Sequence, residues 1–284
     1  MSISNFVPTI WSETLCNNLD RYYVGIANCT RDFEGEIKEK GSKVVICKLE
    51  ELCIGDYERG LAIGDPEFLE GYTIELDIEK ARYFNFEIDD IDKAQLSPKV
   101  MDAAMKLAAS GLAREADRYI YEQQEDALQV IESPKVTPDN ILDTILRART
   151  KLYENNVGPE TEVVLEVSPS IAEIMFKAKL NLSTDNDELL QTGCIGSIAG
   201  FKVFVTNNLV REIDSNRNIR YHCFARTKRA IAFAEQISEI EAYRPDGRFA
   251  DAVKGLHLYG AKIIYPEELI RLDLSVGDNP VNED

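Results

Sequence analysis

Residues 72–88 read YTIELDIEKARYFNFEI, and residues 97–119 read SPKVMDAAMKLAASGLAREADRY. In the first stretch the even positions carry Tyr72, Ile74, Leu76, Ile78, Phe84, Phe86 and Ile88, while Thr73, Glu75, Asp77, Glu79 and Glu87 occupy odd ones. That period of two is the mark of a strand with one apolar face. Only Lys80 and Arg82 break the face. Taken as one strand, at roughly 3.3 Å per residue it spans about 55 Å, well beyond an ordinary globular strand. Such a strand protrudes from its domain; the alternative is two shorter strands separated near Lys80. At Ser97-Pro98 the period changes. Serine can cap a helix, and proline at the first helical position loses no hydrogen bond. Met101, Ala104, Met105, Ala108, Leu112, Ala116 and Tyr119 follow at spacings of three and four. They predict a long helix of about 45 Å from Ser97 to about Ala127, packed closely on a sheet through its alanines.

On either side of this pair the chain is mixed. Asn5 to Ser12 sets apolar residues beside Pro8, and Leu15 to Tyr23 is amphipathic; together they read as an arm or as an ordinary first strand and helix. Lys43 to Cys47 reads as a strand, and Gly55, Gly60, Gly64 and Pro66 punctuate a loop. Thr137-Pro138 opens a second helix with Ile141, Leu142, Ile145, Leu146 and Leu152, which ends at Asn155-Asn156-Val157-Gly158-Pro159. Ser168-Pro169 repeats the start signal after the strand Glu162 to Val167. Short strands then alternate with turns: Phe201 to Val205, Tyr221 to Phe224, Ile237 to Tyr243, and Val253 to Ile264 beyond the Asp246-Gly247 turn. The fold class is α+β, without a repeated βαβ unit. Gly277 to Asp284 is a polar tail.

Composition narrows the function. With 284 residues, 44% hydrophobic, the chain can bury a sizeable core, and no apolar run is long enough for a membrane-spanning helix. Fifty acidic against 32 basic residues give a net charge of -18, the opposite of a nucleic-acid reader's footprint. Copies that associate must overcome that repulsion, which makes assembly salt-sensitive. Cysteines 16, 29, 47, 53, 194 and 223 form no CxxC pair and fit reduced thiols in a cytoplasm.

Candidate chemistry is sparse. His222 and His257 are far apart in sequence and have no neighbouring nucleophile or metal-ligand partner. Gly193 to Gly200, GCIGSIAG, lacks a GK[ST] ending and precedes a strand, so it reads as a turn and not a phosphate loop. Asp185-Asn186-Asp187-Glu188 resembles the start of a calcium loop without its later glycine and glutamate. Asp89, Asp90 and Asp92 could hold a metal or act as acids and bases, yet acidic residues are commonplace before a helix. Cys47 and Cys53 have no histidine partner for zinc. The expectation is no catalytic, cofactor-binding or metal-binding residues.

Three late segments complete the pattern. They are GCIGSIAGFKVFV (193–205) followed by Thr206-Asn207-Asn208-Leu209; AIAFA (230–234); and YRPDGRFAD (243–251) with GLHLYGAK (255–262). Together with the arm FVPTIWS (6–12), the long strand and the long helix, their order resembles the tailed-bacteriophage major capsid proteins with the Hong Kong 97-type fold. The resemblance covers about Phe6 to Leu274. It implies an N-terminal arm at 1–34, an extended β-hairpin loop at 35–80, and a peripheral domain with a long spine helix at 81–160. An axial domain at 161–252, a closing strand region at 253–276 returning to the peripheral domain, and a polar tail at 277–284 follow.

The function so implied is structural: pentamers and hexamers forming an icosahedral head around double-stranded DNA, assembled in the host bacterial cytoplasm. Its partners would be further copies of itself, with scaffolding, portal and decoration proteins and DNA packaged in bulk. Glu50, Glu51, Asp56, Glu58 and Arg59 become candidates for salt bridges between subunits. Some members join subunits by a lysine–asparagine bond helped by a buried glutamate; no such trio is assigned here. The competing readings are an encapsulin-type shell around an enzyme cargo and a soluble cytoplasmic enzyme using acids such as Asp89 and Asp92.

Overall fold

The computed structural model describes residues 15, 18–32, 42–49, 54, 56–57, 59–60, 68, 71–90, 99–178, 194–213 and 218–277. The long alternating stretch is two strands: β2 (Gly71–Asp77) and β3 (Lys80–Asp89), with β1 (Lys43–Leu49) before them. β1 and β2 pair antiparallel as a separate two-stranded ribbon, Val44 opposite Leu76 and Ile46 opposite Ile74. β3 instead lines the edge of a three-stranded sheet in the order β10 (Ile231–Tyr243), β11 (Ala250–Ile263), β3. The alternative with a break near Lys80 is the one observed. The parity survives the break because the same even positions serve two cores. Ile74, Leu76 and Ile78 pack into the ribbon's core, whereas Phe84 and Phe86 pack against the main one. The two interrupting charges turn to the helix: Lys80 Nζ lies 5.0 Å from the Tyr119 ring centre, and Arg82 is 3.6 Å from Glu115.

That helix, α1 (Lys99–Glu122), is 24 residues long and continues as a 3-10 turn, Gln123–Asp126. The predicted helix ran to about Ala127, and the apolar run after it is a strand, β4 (Gln129–Ser133). Periodicity could not show β4: its residues are extended because β12 (Leu269–Val276) lies parallel beside them. α2 (Ile141–Glu154) and α3 (Pro169–Lys177) start after their Pro signals; Asn140 and not Thr137 precedes α2, its Oδ1 accepting from Thr137 N at 2.8 Å. Ser168 Oγ caps α3 by accepting from Ile171 N at 3.3 Å.

The second sheet has seven strands, in the order β4-β12-β9-β5-β7-β6, with β8 (Arg211–Ile213) paired to β9 (Ile219–Thr227). β5 (Val163–Val167) runs parallel to β7 (Phe201–Val205) and antiparallel to β9. β6 (Cys194–Ile198) is itself a strand, so the turn in the glycine-rich stretch is Ala199-Gly200, with φ of 50° and 81°. Strand pairing does not follow chain order: β10 belongs with β11 and β3, while β4 and α2 join β12 in the seven-stranded unit. A strand is assigned by its hydrogen-bond partner, which local sequence does not name.

One continuous core runs from α1 through both sheets to α2 and α3. The β10-β11 pair is covered on both faces. Ile231, Phe233, Tyr259, Ala261 and Ile263 join the main core, and Ala232, Ala234, Leu258 and Ile264 receive Val44, Ile46, Leu76 and Ile78 of the ribbon. The close seat needs Gly260, where a β-carbon would lie 2.2 Å from the Asp77 carbonyl oxygen. Among the described residues no helix is long and apolar enough to cross a membrane.

Candidate functional site at the anchor of the N-terminal segment

Charged residues on buried faces must be paired, because an isolated charge in an apolar interior costs several kcal/mol. Four such residues converge on residues 23–31. Glu166 interrupts the apolar β5, Arg226 sits in β9, Asp117 faces inward on α1, and Glu235 lies in β10. Arg226 and Glu166, both fully buried, form a forked pair: Nε donates to Oε2 at 3.0 Å and Nη2 to Oε1 at 2.9 Å. Arg226 also donates to the carbonyl oxygens of Gly25, at 2.9 Å, and Asn28. Asn28 Nδ2 donates to Val24 O at 3.0 Å and Glu166 Oε1 at 3.2 Å. The two oxygens of Asp117 accept from Val24 N and Ile26 N, each at 3.0 Å. Burial pushes the Asp117 carboxyl up to about 6, although those backbone N–H groups and that of Gly25 act the other way. Burial likewise lifts the Cys29 thiol to about 11 and leaves it unreactive.

Farther along, Thr30 joins the edge of β10. Its N donates to Ile231 O at 3.0 Å, and Phe233 N donates to Thr30 O at 2.9 Å. Beside it Glu235 Oε2 lies 2.7 Å from His257 Nε2 and 2.5 Å from the Tyr23 hydroxyl that donates to it. Arg31 pairs with the other oxygen at 2.5 Å. Burial alone would raise Glu235, but His257, Tyr23 and Arg31 outweigh it and hold its carboxyl below the usual range. Residues 23–31 therefore clamp α1, the three-stranded sheet and the seven-stranded sheet together. The chemistry here is positional: each acid is engaged by donors, and the one thiol in the cluster, Cys29, is held protonated by burial.

The residues singled out in the sequence are not brought together. His222 is buried in β9 with Nδ1 at 2.6 Å from Asp273, which Arg271 also contacts at 3.0 Å. His257 belongs to the Glu235 cluster described above. Asp90 pairs with Arg244 and Asp89 faces Ala250 across the β3-β11 ladder; Asp92 and residues 185–188 lie outside the described residues. Among the described residues no group of three or more His, Cys, Asp or Glu could hold a metal. Cys47 is exposed on β1, and Cys53 lies outside the described residues, as do the arm at 6–12, the Ser97-Pro98 cap and Gly193. Of the proposed loop charges, Asp56 and Arg59 are exposed, and Glu50, Glu51 and Glu58 are not described. The anchor was missed as a site, yet its signal was present: Glu166, Arg226 and Glu235 each stand inside an apolar strand and demand a buried partner.

Comparison with solved structures follows this architecture. The chain is similar to one from Mycobacterium phage Che8, at 24% identity and a TM-score of 0.66 over 87% of this chain and 90% of that one. It is similar to the capsid of Ralstonia phage GP4 at 13% identity, TM-score 0.71, covering 91% and 90%. A virus-like particle from Pyrococcus furiosus is also similar, at 14% identity, TM-score 0.52, covering 92% and 96%. No protein-family model matches the sequence, and no curated protein matches it significantly. On these likenesses, each over more than four-fifths of both chains, the chain has the α+β Hong Kong 97-type fold of tailed-phage capsid subunits.

Proposed function

We propose that this chain is the major capsid protein of a tailed bacteriophage, a structural subunit and not an enzyme. The ribbon carries the reading. It is held to its own subunit at its base, while Ile54 and Phe68, between β1 and β2, are 98% and 89% exposed, and Tyr57 beside them is exposed as well. Large apolar side chains exposed along one ribbon are suited to burial against a neighbour. A neighbouring copy that received them would do the same to the next, a heterologous contact that closes into rings and shells. In this reading the ribbon is the extended loop, α1 with the three-stranded sheet is the peripheral unit, and the seven-stranded sheet with α2 and α3 is the axial unit. The virion is the protein's place, reached by assembly in the host cytoplasm with scaffolding, portal and decoration proteins, around DNA held without sequence recognition.

The test is electron microscopy of the purified chain across salt concentrations, with and without the products of neighbouring genes. Closed shells or capsomer rings are expected; a small monodisperse oligomer in every condition would overturn the proposal. A second reading is an encapsulin-type compartment, since a virus-like particle from Pyrococcus furiosus has a similar fold. Contents decide between them: packaged DNA for the phage head, a co-purifying enzyme for the compartment.

A further inference from the structure

α2 carries two apolar stripes. Ile141, Ile145, Ala148 and Leu152 face the core, whereas Leu142, Leu146 and Tyr153 are exposed. Between Leu146 and Tyr153, one helical turn from each, lies Arg149, only 6% exposed. Its guanidinium is stacked: the carbon Cζ is 4.3 Å from the Tyr153 ring centre and 5.6 Å from that of Phe201. Gly200, at positive φ in the β6-β7 turn, lies beside it; a β-carbon there would be in ordinary contact, 3.5 Å from Nη2. Nε and Nη1 are buried with no hydrogen-bond partner. Two other enclosed arginines differ: Arg226 has Glu166, and Arg271 has Asp273.

Among the described residues no counter-ion meets this enclosed charge, which is costly, and the planar fork of a guanidinium matches a carboxylate. We infer that α2 presents a docking surface for a second copy of this chain, with Arg149 receiving a carboxylate from it and Leu142, Leu146 and Tyr153 forming the surrounding apolar contact. Charge complementarity selects the occupant: a chain of 50 acidic residues against 32 basic ones offers its neighbours chiefly carboxylates. Arginine and tyrosine at the centre of an apolar patch are the residues that carry association energy. The inference rests on the shell reading.

The experiment compares full-length wild type with Arg149→Met and Arg149→Lys, measuring the melting temperature of dissociated subunits and the subunit concentration at which assembly begins. For Arg149→Met we expect a melting temperature unchanged or higher, because an unpaired buried charge is gone, and an assembly threshold raised about ten-fold. Arg149→Lys, charged but without the fork, falls between. A lower melting temperature with an unchanged threshold would assign Arg149 to its own subunit and overturn the inference. If Arg149→Met does not fold, Arg149→Lys is judged by the same two quantities. Inorganic phosphate that raises the melting temperature of wild type but not of either variant, with equal thresholds, overturns the second copy in favour of a free anion. Wild type that never assembles is a failure of the shell reading, distinct from wild type and variants that assemble alike.

Discussion

At the scale of single residues, removing one partner of a buried ion pair is costly because the other charge stays enclosed. Glu166→Gln removes the counter-charge of Arg226 while leaving the guanidinium enclosed. The expected cost is about 3–5 kcal/mol, read by chemical denaturation. A double replacement, Glu166→Leu with Arg226→Met, should recover much of it, because no charge is then left unpaired. Asp117 makes a separate, pH-dependent contribution. Its folded pKa of about 6 lies above the ordinary 3.8, so its contribution is present below pH 3.8 and is lost as pH rises through about 6. Relative to Asp117→Asn, wild type should lose up to about 3 kcal/mol between those limits. Glu235 and Asp273, held low, act in the opposite sense and lose their contribution as pH falls below the usual carboxylate range. Denaturation curves of the two proteins from pH 3.5 to 7 separate Asp117 from these; parallel curves would show that its carboxyl is already ionised at low pH.

At the scale of elements, the ribbon depends on how closely its base approaches β11. Gly260→Ala sets a methyl group against the Asp77 carbonyl at 2.2 Å, which a rigid backbone cannot accommodate. The strand must move, with an expected loss of about 1–3 kcal/mol. Hydrogen exchange should rise first in β1 and β2 and leave the seven-stranded sheet protected, since the two sets of hydrogen bonds are independent. Equal loosening of both would mean that the ribbon is part of one cooperative unit. The elements also show where local reading stops. The capped start of α3 was legible from Ser168-Pro169 because serine and proline at a helix start act within a few residues, whereas α2 begins three residues beyond Pro138. β4 was not, because its extended form comes from β12, more than a hundred residues away along the chain.

At the scale of the whole molecule, charge sets the conditions of association. Each subunit carries a formal charge of -18, so copies repel through water at low ionic strength. Screening shortens that repulsion to about 8 Å at physiological salt. Assembly of the full chain should therefore begin at lower subunit concentration as salt rises from about 0.05 to 0.5 M, followed by light scattering. The opposite trend would show that pairing between subunits, by residues such as Asp56 and Arg59, dominates over the net repulsion. Scattering also separates this effect from Arg149, whose enclosed position protects a docked carboxylate from screening.

The sequence by itself determined the class of the fold, the long helix, the start of α3, most of the strands and the poverty of catalytic motifs. Those features rest on periods of two and 3.6 and on proline and serine chemistry, which act between near neighbours. Only the tertiary structure decided that the alternation at 72–88 splits between two sheets, that β10 leaves the seven-stranded unit, and that Asp117, Glu166, Arg226 and Glu235 close on one N-terminal segment. The physical reason is the same in each case. A strand's sheet and a charge's partner are fixed by burial between residues far apart in the chain, so they become visible only when the core is closed.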